Sequence, residues 1–72
     1  MNTKFLEKFE QSLKKYRLEN HYTQEFLAEK VGVHATYIGK LERGKNNPSI
    51  LLLYKISKAL KIDLSELFNF EE

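Results

Sequence analysis

Cysteine is absent from this chain of 72 residues, and glycine and proline are scarce, at three and one. Without cysteine, disulfide bridges, cysteine zinc sites and thiol catalysis are all excluded. The two histidines, His21 and His34, have a spacing that indicates no metal site, so we expect no bound metal.

Long apolar runs are absent as well. No run approaches the roughly 18 residues that a membrane-spanning helix needs. The N-terminal segment carries Glu7 and Glu10 where a signal peptide would need an apolar stretch. We therefore expect a cytoplasmic protein with no membrane partner.

Length and composition are those of a single domain that spans residues 1–72. Hydrophobic residues make up 42% and charged residues 31%, which is ordinary for a globular protein and too apolar for a disordered tail. The net charge is +2, but residues 1–47 hold nine lysines and arginines against six acids, whereas residues 48–72 hold three against four. This uneven charge is compatible with a polyanionic partner.

Gly32, Gly44 and Pro48 divide the chain into segments whose apolar residues recur at helical spacing, and no segment alternates like a strand. The sequence therefore predicts an all-α fold with five helices. We place them at about 3–19, from Thr23 to before Gly32, from His34 to Gly44, from Ser49 to about Leu60, and from Asp63 onward.

The ends of these helices carry recognisable signals. Thr23 and Ser49 are suitable N-caps, because their hydroxyls can accept a hydrogen bond from a free backbone N–H. Asn20 tolerates the left-handed conformation, so we expect it to end the first helix. Glu66 follows Asp63 by three residues, which resembles a capping box.

The segment at about 23–44 is the most informative part of the chain. It holds two short predicted helices joined by a tight turn that contains Gly32. A left-handed residue in such a turn lets the second helix cross the first steeply. This is the helix-turn-helix pattern, in which the second helix, here about 34–43, enters a DNA major groove.

The stretch YTQEFLAEKVGVHATYIGKLERGKNNPS resembles the helix-turn-helix of the phage repressor and Cro family, also called the Xre family. The matching positions are Thr23, Gln24, Leu27, Ala28, Gly32, Val33, Tyr37, Ile38, Glu42, Arg43, Gly44, Pro48 and Ser49. The resemblance implies a compact, lambda-repressor-like DNA-binding domain. Within the family, the chain is most similar to the controller proteins of restriction–modification systems.

Three positions depart from the family pattern. His21 stands where the family usually has glycine, so the turn after the first helix is expected to be built differently. His34 replaces a serine or aspartate and caps a helix less well. Gly39 often corresponds to serine, and its lack of a side chain removes one polar contact to DNA while weakening the helix by roughly 1 kcal/mol relative to alanine.

The resemblance implies two kinds of DNA contact. Base edges would be read from the second helix of the motif, whereas the phosphates would be held by the start of the first helix and by the loop after the second. The residues concerned are Gln24, His34, Ala35, Thr36, Tyr37, Lys40, Arg43, Lys45, Asn46 and Asn47. Alternative interpretations are a solvated helix face or loop, packing for Tyr37, and a simple cap for His34 and Gln24.

The family also pairs an arginine of the first helix with the glutamate at the end of the motif. By resemblance, Arg17 and Glu42 are expected to form a structural ion pair rather than to contact DNA.

A dimer is expected because one helix-turn-helix reads only a few base pairs. The fourth predicted helix has an inner stripe of Leu53, Ile56 and Leu60, yet further apolar residues lie off that stripe. We assign these and two C-terminal aromatics to a dimer interface: Leu51, Leu52, Tyr54, Phe68 and Phe70. The alternative is that some of them pack beneath the last helix.

The function expected from these features is a homodimeric, sequence-specific transcriptional regulator that binds double-stranded DNA at a palindromic operator. No cofactor or small-molecule ligand is implied, and RNA polymerase is a candidate further partner. The alternative is a protein-interaction module, of antitoxin or anti-repressor type, that has lost specific DNA binding. No nucleophile with its base, carboxylate pair or phosphate-cradling glycine loop is visible, so we expect no enzyme.

Overall fold

The computed structural model describes residues 3–44 and 48–68, and it contains no strand in those ranges. Four α-helices are followed by a short 3-10 helix: α1 Thr3–Glu19, α2 Gln24–Val31, α3 Ala35–Glu42, α4 Ile50–Ala59 and the 3-10 helix Leu64–Phe68. No helix in the described part of the chain is long and apolar enough to cross a membrane.

The all-α prediction agrees with the structure, but the count of five α-helices needs correction. The fifth segment is a 3-10 helix of five residues. So short a segment gains too few hydrogen bonds to offset the cost of starting an α-helix, whereas a 3-10 helix is commonly used for pieces of this length. Glu66 Oε1 accepts a hydrogen bond from the Asp63 N–H at 3.0 Å, so the Glu66 side chain caps its start.

The predicted N-caps of α2 and α4 are present. Thr23 Oγ1 accepts a hydrogen bond from the Phe26 N–H at 3.0 Å, and Ser49 Oγ accepts one from the Leu52 N–H at 3.1 Å. Each hydroxyl satisfies a backbone donor that has no partner within its helix. These local bonds fix where the two helices begin.

The prediction that Asn20 adopts the left-handed conformation is wrong. His21 does so instead, with φ 61°, and the N–H of Tyr22 then donates to the Arg17 carbonyl at 3.1 Å. The turn after α1 is therefore a Schellman-type ending with histidine in place of glycine. Asn20 has another role, because its Nδ2 donates to the carbonyls of Tyr16 at 2.9 Å and Leu60 at 3.1 Å.

One hydrophobic core joins all five elements. It is formed by buried side chains from every helix: Phe9, Leu13, Leu27, Ala28, Val31, Ile38, Leu41, Leu53, Ile56, Leu60 and Leu67. Because α2 and α3 both bury side chains in this core, their relative position is set by packing as well as by the turn between them. The core thereby presents the outer side of α3 to solvent.

Candidate nucleic-acid interface

The turn between α2 and α3 is short and is shaped by Gly32. This glycine has φ 79°, in the left-handed region that strains residues with a Cβ. The N–H groups of Gly32 and Val33 both donate to the Ala28 carbonyl, at 2.9 and 3.0 Å, so they satisfy the end of α2. His34 then starts α3 after a single intervening residue, which places the two helices in the helix-turn-helix arrangement.

Helix α3 has an apolar inner side and a polar outer side. Ile38 and Leu41 are fully buried in the core, whereas Thr36, Lys40 and Arg43 are exposed. At about 100° per residue these three polar side chains lie on one arc of the helix. We call them the α3 outer face; the face carries two positive charges and one hydroxyl.

Three predicted contact residues lie at the edges of that face. His34 is the exposed N-cap residue of α3, but its side chain makes no capping hydrogen bond. Ala35 and Tyr37 are half-buried and pack against the core. The packing alternative for Tyr37 therefore has support in the structure, and a DNA contact through its hydroxyl stays a prediction.

Gln24 stands at the first position of α2, where the free backbone N–H groups of the helix start attract an anion. Its side chain is engaged inside the protein, because Nε2 donates to Glu42 Oε1 at 3.1 Å. An interaction of Gln24 with phosphate would therefore rest mainly on its backbone N–H.

Arg17 and Glu42 form a buried ion pair between α1 and α3. Arg17 Nε donates to Glu42 Oε2 at 2.6 Å and Nη2 donates to Oε1 at 3.1 Å, with only 7% and 9% of the two residues exposed. A third Arg17 donor, Nη1, reaches the Tyr22 carbonyl at 2.7 Å. Together with Gln24, these bonds attach the end of α3 to α1 and to the start of α2.

Two features of this region have no counterpart among the predictions from the sequence. The bond between Gln24 and Glu42 joins residues that are 18 positions apart, and no local signal indicates it. Gly39 is buried even though it lies beside the α3 outer face, because the side chains of Arg43 and Gln24 lie close above it. The family departure at position 39 would have been the signal to follow.

The predicted loop residues Lys45, Asn46 and Asn47 lie outside the described residues. Of the four contact residues predicted at and after the end of α3, the structure therefore describes Arg43 alone.

Within the described ranges no group of three or more histidines, aspartates and glutamates could hold a metal ion.

The exposed side of α4 carries three large apolar side chains besides Lys55 and Lys58. Ile50 is 67% exposed, Leu51 60% and Tyr54 49%. We call these three the α4 outer face; Leu51 and Tyr54 are among the predicted interface residues, whereas Ile50 is an addition from the structure. Such clustering of large apolar groups on a small domain is unusual unless another protein covers it.

The other predicted interface residues have different places. Leu52 is half-buried and packs against the core, and Phe68 stacks on Phe9 with ring centroids 5.5 Å apart. For these two, the structure supports the alternative of internal packing. Phe70 lies outside the described residues.

Comparison with known proteins identifies the family. Residues 13–67 match the helix-turn-helix family. An uncharacterized HTH-type transcriptional regulator of Archaeoglobus fulgidus is 42% identical over 60 residues, which cover 83% of this chain and 84% of that protein. The control protein C.MunI of a Mycoplasma species is 43% identical over 63 residues, which cover 86% and 85%.

A solved structure supports the same assignment. The restriction-modification controller protein C.AhdI from Aeromonas hydrophila superimposes with a TM-score of 0.84 at 40% identity, covering 88% of this chain and 91% of that one. The turn geometry, the exposed α3 and these matches agree, and the chain belongs to the Xre-type helix-turn-helix family of transcriptional regulators.

Proposed function

We propose that this protein is a sequence-specific transcriptional regulator that binds a two-fold symmetric operator as a homodimer. The observation that carries the proposal is the α3 outer face. Thr36, Lys40 and Arg43 are exposed on the second helix of the motif, while Ile38 and Leu41 anchor the opposite side in the core. A helix of this shape and charge fits the major groove, whose width admits one α-helix.

The contacts divide into base reading and positioning. Thr36 can meet a thymine methyl or a hydrogen-bonding base edge, and Lys40 can reach guanine acceptors or a phosphate. The N-terminus of α2 at Gln24 offers backbone N–H groups to a phosphate. His34, Ala35 and Tyr37 border the same surface and stay predicted contacts, as do Lys45, Asn46 and Asn47.

The α4 outer face is the proposed dimer interface. Ile50, Leu51 and Tyr54 supply adjacent apolar surface on one helix, which a second copy of the chain would cover. A two-fold dimer would present two copies of α3 about 34 Å apart, which matches half-sites one DNA turn apart. The names of the relatives, a control protein and a controller protein among them, favour regulation of transcription. Contact with RNA polymerase stays a prediction.

The test is selection from random duplex DNA at near-physiological salt, followed by sequencing of the retained molecules. A palindromic motif with half-sites about one turn apart is expected. Retention without a motif would contradict sequence-specific reading, and no retention even at low salt would favour the protein-interaction module.

The proposed dimer is tested separately, by measuring the oligomeric state in solution. Sedimentation equilibrium of the wild type is expected to show a dimer, and Leu51→Glu is expected to shift it to monomer. Leu18→Glu is the matched control, because Leu18 is 52% exposed but lies on α1. A wild-type monomer, or equal behaviour of the two variants, would contradict this interface.

A further inference from the structure

Gly39 occupies a place on α3 that its neighbours cover. A Cβ built on this residue would lie 3.3 Å from Arg43 Nη1, 3.5 Å from Gln24 Oε1 and 3.8 Å from Gln24 Nε2. A contact of 3.3 Å is tighter than an ordinary van der Waals distance, so a Cβ here would displace the guanidinium by a few tenths of an ångström. The absence of a side chain at Gly39 thus leaves room for the Arg43 guanidinium where it lies.

The helix geometry explains why Arg43 reaches this spot. Side chains of helical residues point back toward the N-terminus and lie over the residue four positions earlier. Arg43 is the C-cap residue of α3, and the residue four positions earlier is Gly39. Its guanidinium therefore lies about one turn inside the helix, beside Gly39, rather than beyond the helix end.

The second neighbour of Gly39 is Gln24, whose side-chain amide has a fixed orientation. The Glu42 carboxylate can only accept hydrogen bonds, so it fixes which end of the Gln24 amide faces it, and Nε2 donates to Oε1 of Glu42. The Gln24 carbonyl oxygen then lies near the same point beside Gly39 as Arg43 Nη1, because the two atoms are 3.5 and 3.3 Å from a Cβ built there. Arg17 holds Glu42 in turn through two bonds, so the arrangement has a buried support.

The guanidinium of Arg43 remains available to a ligand. Arg43 is exposed, and no described residue accepts a hydrogen bond from its guanidinium. It shares the outer arc of α3 with Thr36 and Lys40. An arginine fork at such a position is suited to the O6 and N7 acceptors of guanine, which it can contact with two parallel hydrogen bonds.

We propose that Gly39 is a specificity-determining residue, because it seats the Arg43 guanidinium on the groove-facing side of α3, where Arg43 reads a guanine in each half-site. This inference rests on the proposed function. It also changes the role of Arg43, which by resemblance would only grip the DNA backbone.

Two single variants and their combination test the proposal. Gly39→Ala adds the one methyl group that Arg43 must avoid, and alanine favours a helix, so the variant is expected to fold with an unchanged or higher melting temperature. Arg43→Ala removes the guanidinium proposed to contact guanine. Arg43→Lys keeps the positive charge but lacks the planar group that can donate two parallel hydrogen bonds. Thr36→Ala is the matched control on the same arc.

Binding of each variant is measured against the selected operator and against operators changed at single base pairs. Gly39→Ala and Arg43→Ala are each expected to lose discrimination by about tenfold at the same guanine of the half-site. Arg43→Lys should lose it too, and the double variant should be no worse than Arg43→Ala. Thr36→Ala should affect a different base pair.

Several results would overturn the inference. One is a Gly39→Ala protein with the wild-type motif; another is a uniform loss of affinity for all sequences, which would mean that Arg43 binds a phosphate. Full additivity in the double variant would separate Gly39 from Arg43. If the wild type itself selects no motif, the proposed function fails, and that outcome is distinct because it is read before any variant is made.

Discussion

Helices α3 and α4 are similar in construction but differ in what supports them. Each is short and buries an apolar stripe in the same core. Helix α4 begins with a serine cap bond and contains no glycine, whereas α3 begins at His34 without a side-chain cap and contains Gly39. Helix α3 therefore depends more on distant contacts, chiefly the bonds that Glu42 receives from Arg17 and Gln24.

The outer faces of α3 and α4 also differ, in polarity and charge. The α3 outer face is polar and basic, while the α4 outer face consists of exposed Ile50, Leu51 and Tyr54. A polyanion suits the first and a second protein surface suits the second. The helix with the weaker local signals is thus the one proposed to read DNA, which fits a general exchange of stability for function at binding sites.

Removing the distant support of α3 should have the largest effect. Glu42→Ala leaves the Arg17 guanidinium buried without its carboxylate, which is expected to lower the free energy of unfolding by about 3–5 kcal/mol. Urea denaturation followed by circular dichroism measures this. The double change Arg17→Met and Glu42→Leu should recover much of the loss, and equal losses in both proteins would contradict this account of α3.

Placing a charge on the α4 outer face should have the next largest effect. Leu51→Glu would bury a carboxylate in the proposed dimer, so the dimer dissociation constant is expected to rise about a hundredfold or more. The unfolding free energy of the monomer should change by less than about 0.5 kcal/mol, because the site is exposed. An unchanged dimer dissociation constant would contradict the assignment of the α4 outer face to the dimer interface.

A charge removed from the α3 outer face should weaken DNA binding without affecting folding. Lys40→Ala is expected to reduce operator affinity about tenfold, through a lost base or phosphate contact. If the contact is to phosphate, the slope of log affinity against log salt should fall by about one. Lys14→Ala is the matched control, because Lys14 is exposed but lies on α1, and a similar loss there would indicate that only net charge matters.

Changing the N-cap residues of α3 and α4 should have the smallest effects on stability, and the two effects should have opposite signs. Ser49→Ala removes the α4 cap bond and is expected to cost about 1 kcal/mol, whereas His34→Ser supplies α3 with a cap hydroxyl and should gain about 0.5–1 kcal/mol. Thermal melting of both variants checks the two signs. Destabilisation by His34→Ser would show that the histidine stabilises the start of α3 in another way.

Local signals explain how much of the fold could be predicted. The bounds of α1, the caps at Thr23 and Ser49 and the inner stripes of α3 and α4 follow from residues close together in the sequence. The predicted left-handed residue after α1, Asn20, is one position before the observed one, His21. The side chain of Asn20 instead donates a hydrogen bond to the Leu60 carbonyl, which belongs to a segment distant in sequence. Residue spacing alone could not reveal that bond.

The candidate site was predictable in outline but not in its connections. The exposure of Thr36, Lys40 and Arg43 follows from the buried positions of Ile38 and Leu41. The burial of Gly39 and the attachment of Gln24 to Glu42 depend on how three helices meet. These contacts join segments separated in sequence, and periodicity carries no information on them.

The bond from the Asn20 amide to the Leu60 carbonyl has a consequence for how the chain folds. It joins residues 40 positions apart and closes a loop that contains α2, α3 and α4. Isolated helices of 8 to 10 residues are unstable in water, so none of these three persists by itself. Because the loop closes only when all three are in place, we expect unfolding to be a single cooperative transition in which the proposed DNA-reading and dimer-forming faces are lost together.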